Sequence, residues 1–276
     1  VAKESVRLNP WALTDVESAR DYMKFSDVAR DSMLTPLINQ ATAIIERRTA
    51  RKLKARPFLN TITVADVETA TASDVLDGTF TNTRAGMTIT CVGVPSDAFV
   101  MSVADDFASA VISAPATATT SAPISAALRG HGPLVANGSA AFDANELTMG
   151  QAPITEVVSV KSLDDDGTRS AIDITGYRTR GTMGISVLLL PNGVLPLGQM
   201  NVEVECVAGY SGLRHQSELD ALQHACHRMV QVMWQDYEQA IGRGSDVTVQ
   251  GFGVNFIDSA MPKDVADIVD RFRRCA

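Results

Sequence analysis

The chain contains no CxxC pair, no long apolar run and no excess of positive charge, and each absence excludes a class of protein. Its four cysteines, Cys91, Cys206, Cys226 and Cys275, lie far apart, a spacing that fits a reducing compartment better than a disulfide framework. The opening segment VAKESVRLNPWAL has no apolar core of the kind a secretory signal needs. The longest aliphatic run, Val187 to Leu190, is cut by Pro191, so a membrane-spanning helix is not supported. The expectation is a soluble cytoplasmic protein or a component of an assembly made there. The formal net charge of -8 disfavours binding to a phosphate backbone, whose affinity comes from Lys and Arg displacing counterions.

Catalytic signatures are equally scarce. The serines lie in no GxSxG elbow and the cysteines in no nucleophile motif. Neither a phosphate-binding GxxxxGK[ST] loop nor a strand-linked GxGxxG is present. The glycine-rich stretches at 242–245 (GRGS) and 251–253 (GFG) do not open a helix that could hold a phosphate. His224 and His227 stand three apart on a helical stretch, with Cys226 between them facing the apolar stripe and no carboxylate to complete a metal site. His131, in RGHGPL, reads as a solvent-facing turn residue. The Asp164-Asp165-Asp166-Gly167 run lacks the alternating oxygen ligands and closing Glu of a calcium loop, so it reads as a solvated turn. Glu203 and Glu205 share one strand face, which reads as a solvated sheet surface and not an acid/base dyad. No catalytic, cofactor-binding or metal-binding residue is therefore assigned, and the chain is not expected to be an enzyme.

What is present is periodicity. At 202–210 (VEVECVAGY) apolar residues alternate with Glu203 and Glu205, the period of a half-buried strand. From Gln216 the step becomes three or four, with Leu219, Leu222, Cys226, Met229, Met233, Tyr237 and Ile241 on one stripe of a helix that ends at Gly242 and Gly244. Leu222, Met229 and Met233 are expected to pack against a second stripe, formed by Leu34, Leu37, Ile38, Ala41, Ile44 and Ile45, which together with Leu219 complete the candidate core. Pro36 either kinks that helix or marks its first turn. Thr14 and Glu17 have capping-box spacing and predict a short first helix over about residues 15–24. The basic run ERRTARKLKAR at 46–56 reads as a solvated helix face with cations near its C-terminal end.

From Pro57 the chain becomes rich in Thr, Ala, Ser, Val and Gly, with short alternating runs separated by turn residues. The stretch 154–210 holds four further strand patterns joined by tight turns, which make a meander or a hairpin pair. Beyond the long helix, VTVQGFGVNF reads as a hairpin or extended arm, and Pro262 opens a last helix striped by Val265, Ile268, Val269 and Phe272. The expected class is α+β. Residues 1–56 form the first part of a helical core, 57–150 an inserted β-domain, 151–210 a β-meander leading back, and 211–276 the second part of the core with its C-terminal arm and helix.

Three stretches, in this order, resemble the tailed-bacteriophage head-tail connector, or adaptor, family. The first is LTPLINQATAIIERRTARKL at 34–53. The second runs from PITEVVSVKSLDDDG through IDITGY to VEVECVAGY and into an Ala-rich helix. The third is the glycine-bearing arm followed by MPKDVADIVDRFRR. The β-rich insertion at 57–150 departs from the compact family pattern. The resemblance implies a structural virion protein at the neck, assembled in the host cytoplasm: a dodecameric homo-oligomer ring that joins the portal to the next neck, stopper or tail-completion protein and continues the DNA channel. Its implied partners are the portal, neighbouring adaptor subunits, the downstream protein and the capsid through the insertion. DNA would pass without sequence-specific binding, and no membrane is involved. By the same analogy the arm and last helix reach the portal through Val249, Phe252, Val254, Phe256, Phe272, Arg271, Arg273 and Arg274. Truncation before Asp246 is then expected to leave a folded subunit. The alternative is a capsid-binding decoration or head-fibre module whose working part is the β insertion.

Overall fold

The computed structural model describes residues 7–273 apart from 97, 121–122, 138–144, 165–166, 183–184, 197, 213–214 and 243–260. The chain divides into two compact units, Val1–Lys54 with Tyr210–Ala276, and Ala55–Gly209. The arm at 247–256 lies outside the described residues. The class is α+β.

The first unit is helical. It comprises α1 (Val16–Tyr22), a 3-10 turn (Val28–Arg30), α2 (Asp31–Thr49), α3 (Gln216–Gly242), α4 (Lys263–Val269) and a closing 3-10 turn (Asp270–Phe272). In α2 the buried positions Leu34, Leu37, Ile38, Ala41, Ile44 and Ile45 recur every three or four residues. They share one core with Leu222, Met229 and Met233 of α3, while Leu219 packs on its margin. Pro36 sits inside α2 and not at its first turn. Shortening a fully buried side chain such as Leu34 to alanine costs about 2–5 kcal/mol, because the cavity adds to the lost transfer energy.

Three local expectations change here. Asp15, not Thr14, caps α1: its carboxylate accepts from the Ser18 amide at 2.7 Å and from the Ser18 hydroxyl at 2.9 Å. Thr14 is drawn into the interior instead, with its Oγ1 2.7 Å from His227 Nε2. The basic run is not a solvated face, because the helix stops at Ala50 in a left-handed conformation (φ 54°) and the following residues fold back over the unit. Arg51 is only 2% exposed, donates to the Phe272 carbonyl at 3.0 Å, and lies over the Tyr210 ring at 5.6 Å. Arg48 makes a bidentate pair with Asp270, and Lys54 donates to the Ala12 carbonyl. Finally, Val265, Val269 and Phe272 belong to the same core as α2 and α3. Truncation before Asp246 would strip the core of these side chains, so it is no clean test of the arm alone.

The second unit is built from antiparallel strands. They are β1 (Arg56–Phe58), β2 (Ile62–Val67), β3 (Val75–Asp77), β4 (Thr88–Thr90), β5 (Val100–Val103), β6 (Ser109–Ile112), β7 (Ile124–Arg129), β8 (Leu134–Ala136), β9 (Glu146–Met149), β10 (Ile154–Leu163), β11 (Arg169–Ile172), β12 (Arg178–Thr182), β13 (Ile185–Leu189) and β14 (Val202–Ala208). One sheet runs β1-β14-β10-β11 with β8 also beside β14, and a second runs β12-β13-β9. These enclose a core that includes Leu147, Val160, Leu188, Val202, Val204 and Cys206. The other two sheets, β2-β7-β4 and β3-β6-β5, surround a separate core around Phe80, Met87, Ile89 and Leu128.

Of the meander and the hairpin pair open for 154–210, the pairing follows the second: β10 pairs with β11 and β12 with β13, each antiparallel. β14 returns to lie between β10 on one side and β1 and β8 on the other, while β12 and β13 turn away to β9. Strands that precede Gly150 thus share sheets with strands that follow it. The acidic turn does join two paired strands: the Gly167 amide donates to the Asp164 carbonyl at 2.8 Å, and Gly167 takes the positive φ of 84° that such a turn requires.

Candidate functional site

Val249, Phe252, Val254, Phe256 and Arg274, assigned above to portal contact, lie outside the described residues. Of the remainder, Phe272 points inward. It is 8% exposed, and its ring meets Tyr210 edge-on at 5.6 Å. Arg271 and Arg273 are exposed on either side of it. Residues 270–273 therefore form an anchored turn: an inward aromatic, a carbonyl held by Arg51, and two arginines presented to solvent. Arg228 of α3 fixes the start of the same segment by pairing with Asp264 at 2.9 Å.

The histidine cluster is a packing feature. His227 stacks on Tyr22 with ring centroids 4.8 Å apart, and His224 meets the same ring edge-on at 5.9 Å. Gln223 donates to Thr14 Oγ1 at 3.3 Å beside the Thr14 contact with His227. Burial holds the His227 imidazole below its ordinary pKa, outweighing the pull of Asp15. Cys226 is fully enclosed, and burial pushes its thiol up to about 12, which removes it as a nucleophile or thiolate ligand at neutral pH. Among the described residues no group of three or more His, Cys, Asp and Glu could hold a metal ion.

The carboxylates of β14 depart most clearly from expectation. Glu203 is 3% exposed, so the reading of a solvated sheet surface does not hold. Its partners come from two other segments: Arg169 Nε of β11, one strand beyond β10, at 3.1 Å, and Asn60 Nδ2 at 2.9 Å from the segment after β1. Glu205 accepts from Lys161 Nζ of β10 at 2.8 Å, from the Ser159 hydroxyl, and from both the backbone and side-chain N–H of Asn60 at 3.1 and 3.0 Å. Burial alone would raise the Glu205 pKa, but these donors lower it to about 2. Each of the four carboxylate oxygens accepts from at least one neighbouring donor, so the pair reads as a structural tie.

A second acidic pair escaped sequence reasoning. Glu68 and Asp77 face each other as an isolated antiparallel bridge, with the Glu68 amide 2.8 Å from the Asp77 carbonyl. The available signal was compositional. Between Arg56 and Arg129 the only cationic side chain is Arg84, and it forms a bidentate pair with Glu156.

No protein-family model and no curated protein matches the chain. Among solved structures, a chain described as "Neck of empty GTA particle computed with C6 symmetry" aligns over 99% of this chain and 95% of its own length, at 17% identity and a TM-score of 0.42.

Proposed function

We propose that this chain is a structural protein of a tailed-phage-type particle, a head-tail adaptor that forms a ring joining the portal to the next neck or tail protein. The observation that carries the reading is the ordered resemblance of three separated stretches to the adaptor family. Its support in the fold is that the first and last of these, the α2 segment and Met261–Arg273, pack with α3 in one helical core. A ring closes through a heterologous interface, and the exposed Asp220, Gln235, Asp236 and Glu238 of α3 are proposed as part of the face offered to the neighbouring copy. Repetition around a ring turns modest contacts per copy into firm attachment. Net acidity suits a passage that DNA traverses without sticking.

Negative-stain imaging of the purified chain, alone and mixed with portal, tests this directly. Closed rings that stack on the portal are expected; monomers or trimers that bind only capsid would overturn the adaptor reading in favour of a decoration module. Because α4 belongs to the core, portal contact by the arm is tested with Phe252→Ser and Phe256→Ser, not by truncation. The double variant should keep native circular dichroism and lose co-sedimentation with portal.

A further inference from the structure

The outer face of the β3-β6-β5 sheet combines exposed apolar side chains with unneutralised carboxylates. β3 buries Leu76 and exposes Val75 and Asp77, and β6 turns Ala110 and Ile112 inward. The register sets Val75 opposite Val111, and Val111 opposite Ser102, so these three share the outer face. Met101 sits at the register shift beside them. Val75 is 40% exposed, Met101 54%, and Phe107, in the β5–β6 turn, 39%.

Two features of this face oppose stability. Phe107 adopts a left-handed conformation (φ 60°) that is strained for a bulky residue, held by its amide on the Ala104 carbonyl and its own carbonyl on the Phe80 amide. Glycine would take the same turn without strain, but would present no ring. Glu68 and Asp77, directly opposite across a bridge, repel, and among the described residues neither is joined to a Lys or Arg. Asp74, Asp105 and Asp106 are exposed on the adjoining turns.

We propose that this face is a docking surface for a basic protein segment, one that sets apolar side chains on Val75, Met101 and Phe107 and places Lys or Arg against Glu68 and Asp77. An apolar centre with a charged rim is the usual anatomy of a protein interface, and the single sign of the rim selects the partner. The same sign repels nucleic acid and a second copy of this face. The inference uses nothing from the helical unit and goes beyond the neck role, so the two fail separately.

The test uses the full chain and a fluorescein-labelled peptide of alternating Lys and Val or Phe, followed by anisotropy. Two control peptides carry Glu for Lys, or Gly for the apolar residues. Wild type should bind the Lys-apolar peptide, more weakly as salt rises, with affinity reduced at least about tenfold by Met101→Asp and by Glu68→Gln with Asp77→Asn. All these positions are exposed, and circular dichroism checks that the fold is kept. No binding by wild type, equal binding by every variant, or equal binding of the Lys-Gly peptide would overturn the proposal. So would sedimentation showing that these substitutions dissolve a self-associated form.

Discussion

Glu203 and Glu205 meet Arg169, Lys161, Ser159 and Asn60, whereas Glu68 and Asp77, in the same β unit, meet each other. Glu203 and Glu205 alternate along one strand, whereas Glu68 and Asp77 stand nine residues apart in the sequence and are brought together by the bridge. What separates them is supply. β14 is flanked on both sides, and β10 and β11 deliver cations to it, while the β2–β3 bridge lies in a stretch that has almost none. A carboxylate on a strand is a tie or an unspent charge according to what the neighbouring strands carry, and only the second kind is left for a partner.

The sharpest way to break this contrast is to make the same chemical change in both places. Glu205→Gln should lower stability by about 1–3 kcal/mol in urea unfolding, because Lys161, Ser159 and Asn60 lose a charged acceptor. It should also change the acid limb. The folded-state pKa of Glu205, about 2, lies below its usual 4.5, so its contribution is complete above the unfolded value and is lost as pH falls from there towards 2. The variant should therefore show a shallower loss of stability across that window than wild type. Glu68→Gln with Asp77→Asn should instead raise stability, by about 0.2–1 kcal/mol, by relieving like charges set directly opposite. A loss there would mean that the pair has a stabilising partner. Smallest of all, Arg84→Gln should cost under about 1 kcal/mol, since its bond to Glu156 is formed by side chains 29% and 42% exposed.

The same contrast explains how far the fold could be read in advance. The helix over 34–48 is legible because its signal is local: residues three and four apart share a face whatever lies elsewhere. The strand at 202–208 is legible for the same reason, with period two. The fate of Glu203 is not, because Arg169 and Asn60 reach it from segments distant in the sequence. Thr14 and Asp15 are both good caps, and the choice fell to Asp15 because His227, more than two hundred residues later, offered Thr14 a partner. Arg51 was hidden by the opposite error, since the helical period was extended past Ala50, where the backbone turns left-handed. The partner-facing surfaces are the least legible, because an exposed residue obeys no packing rule and is marked only by what it leaves unmatched.

The helical unit is made from segments on either side of Ala55–Gly209. During synthesis α1 and α2 leave the ribosome long before α3 exists, and their apolar stripe has nothing to cover it. The β unit, by contrast, is contiguous and can close as soon as β14 has emerged beside β1 and β10. Domains fold as units during synthesis, and the stripe from Leu34 to Ile45 can be covered only once α3 and α4 have been made. A subunit whose helical half needs Val265, Val269 and Phe272 in its core cannot offer that half for assembly before α4 has been made.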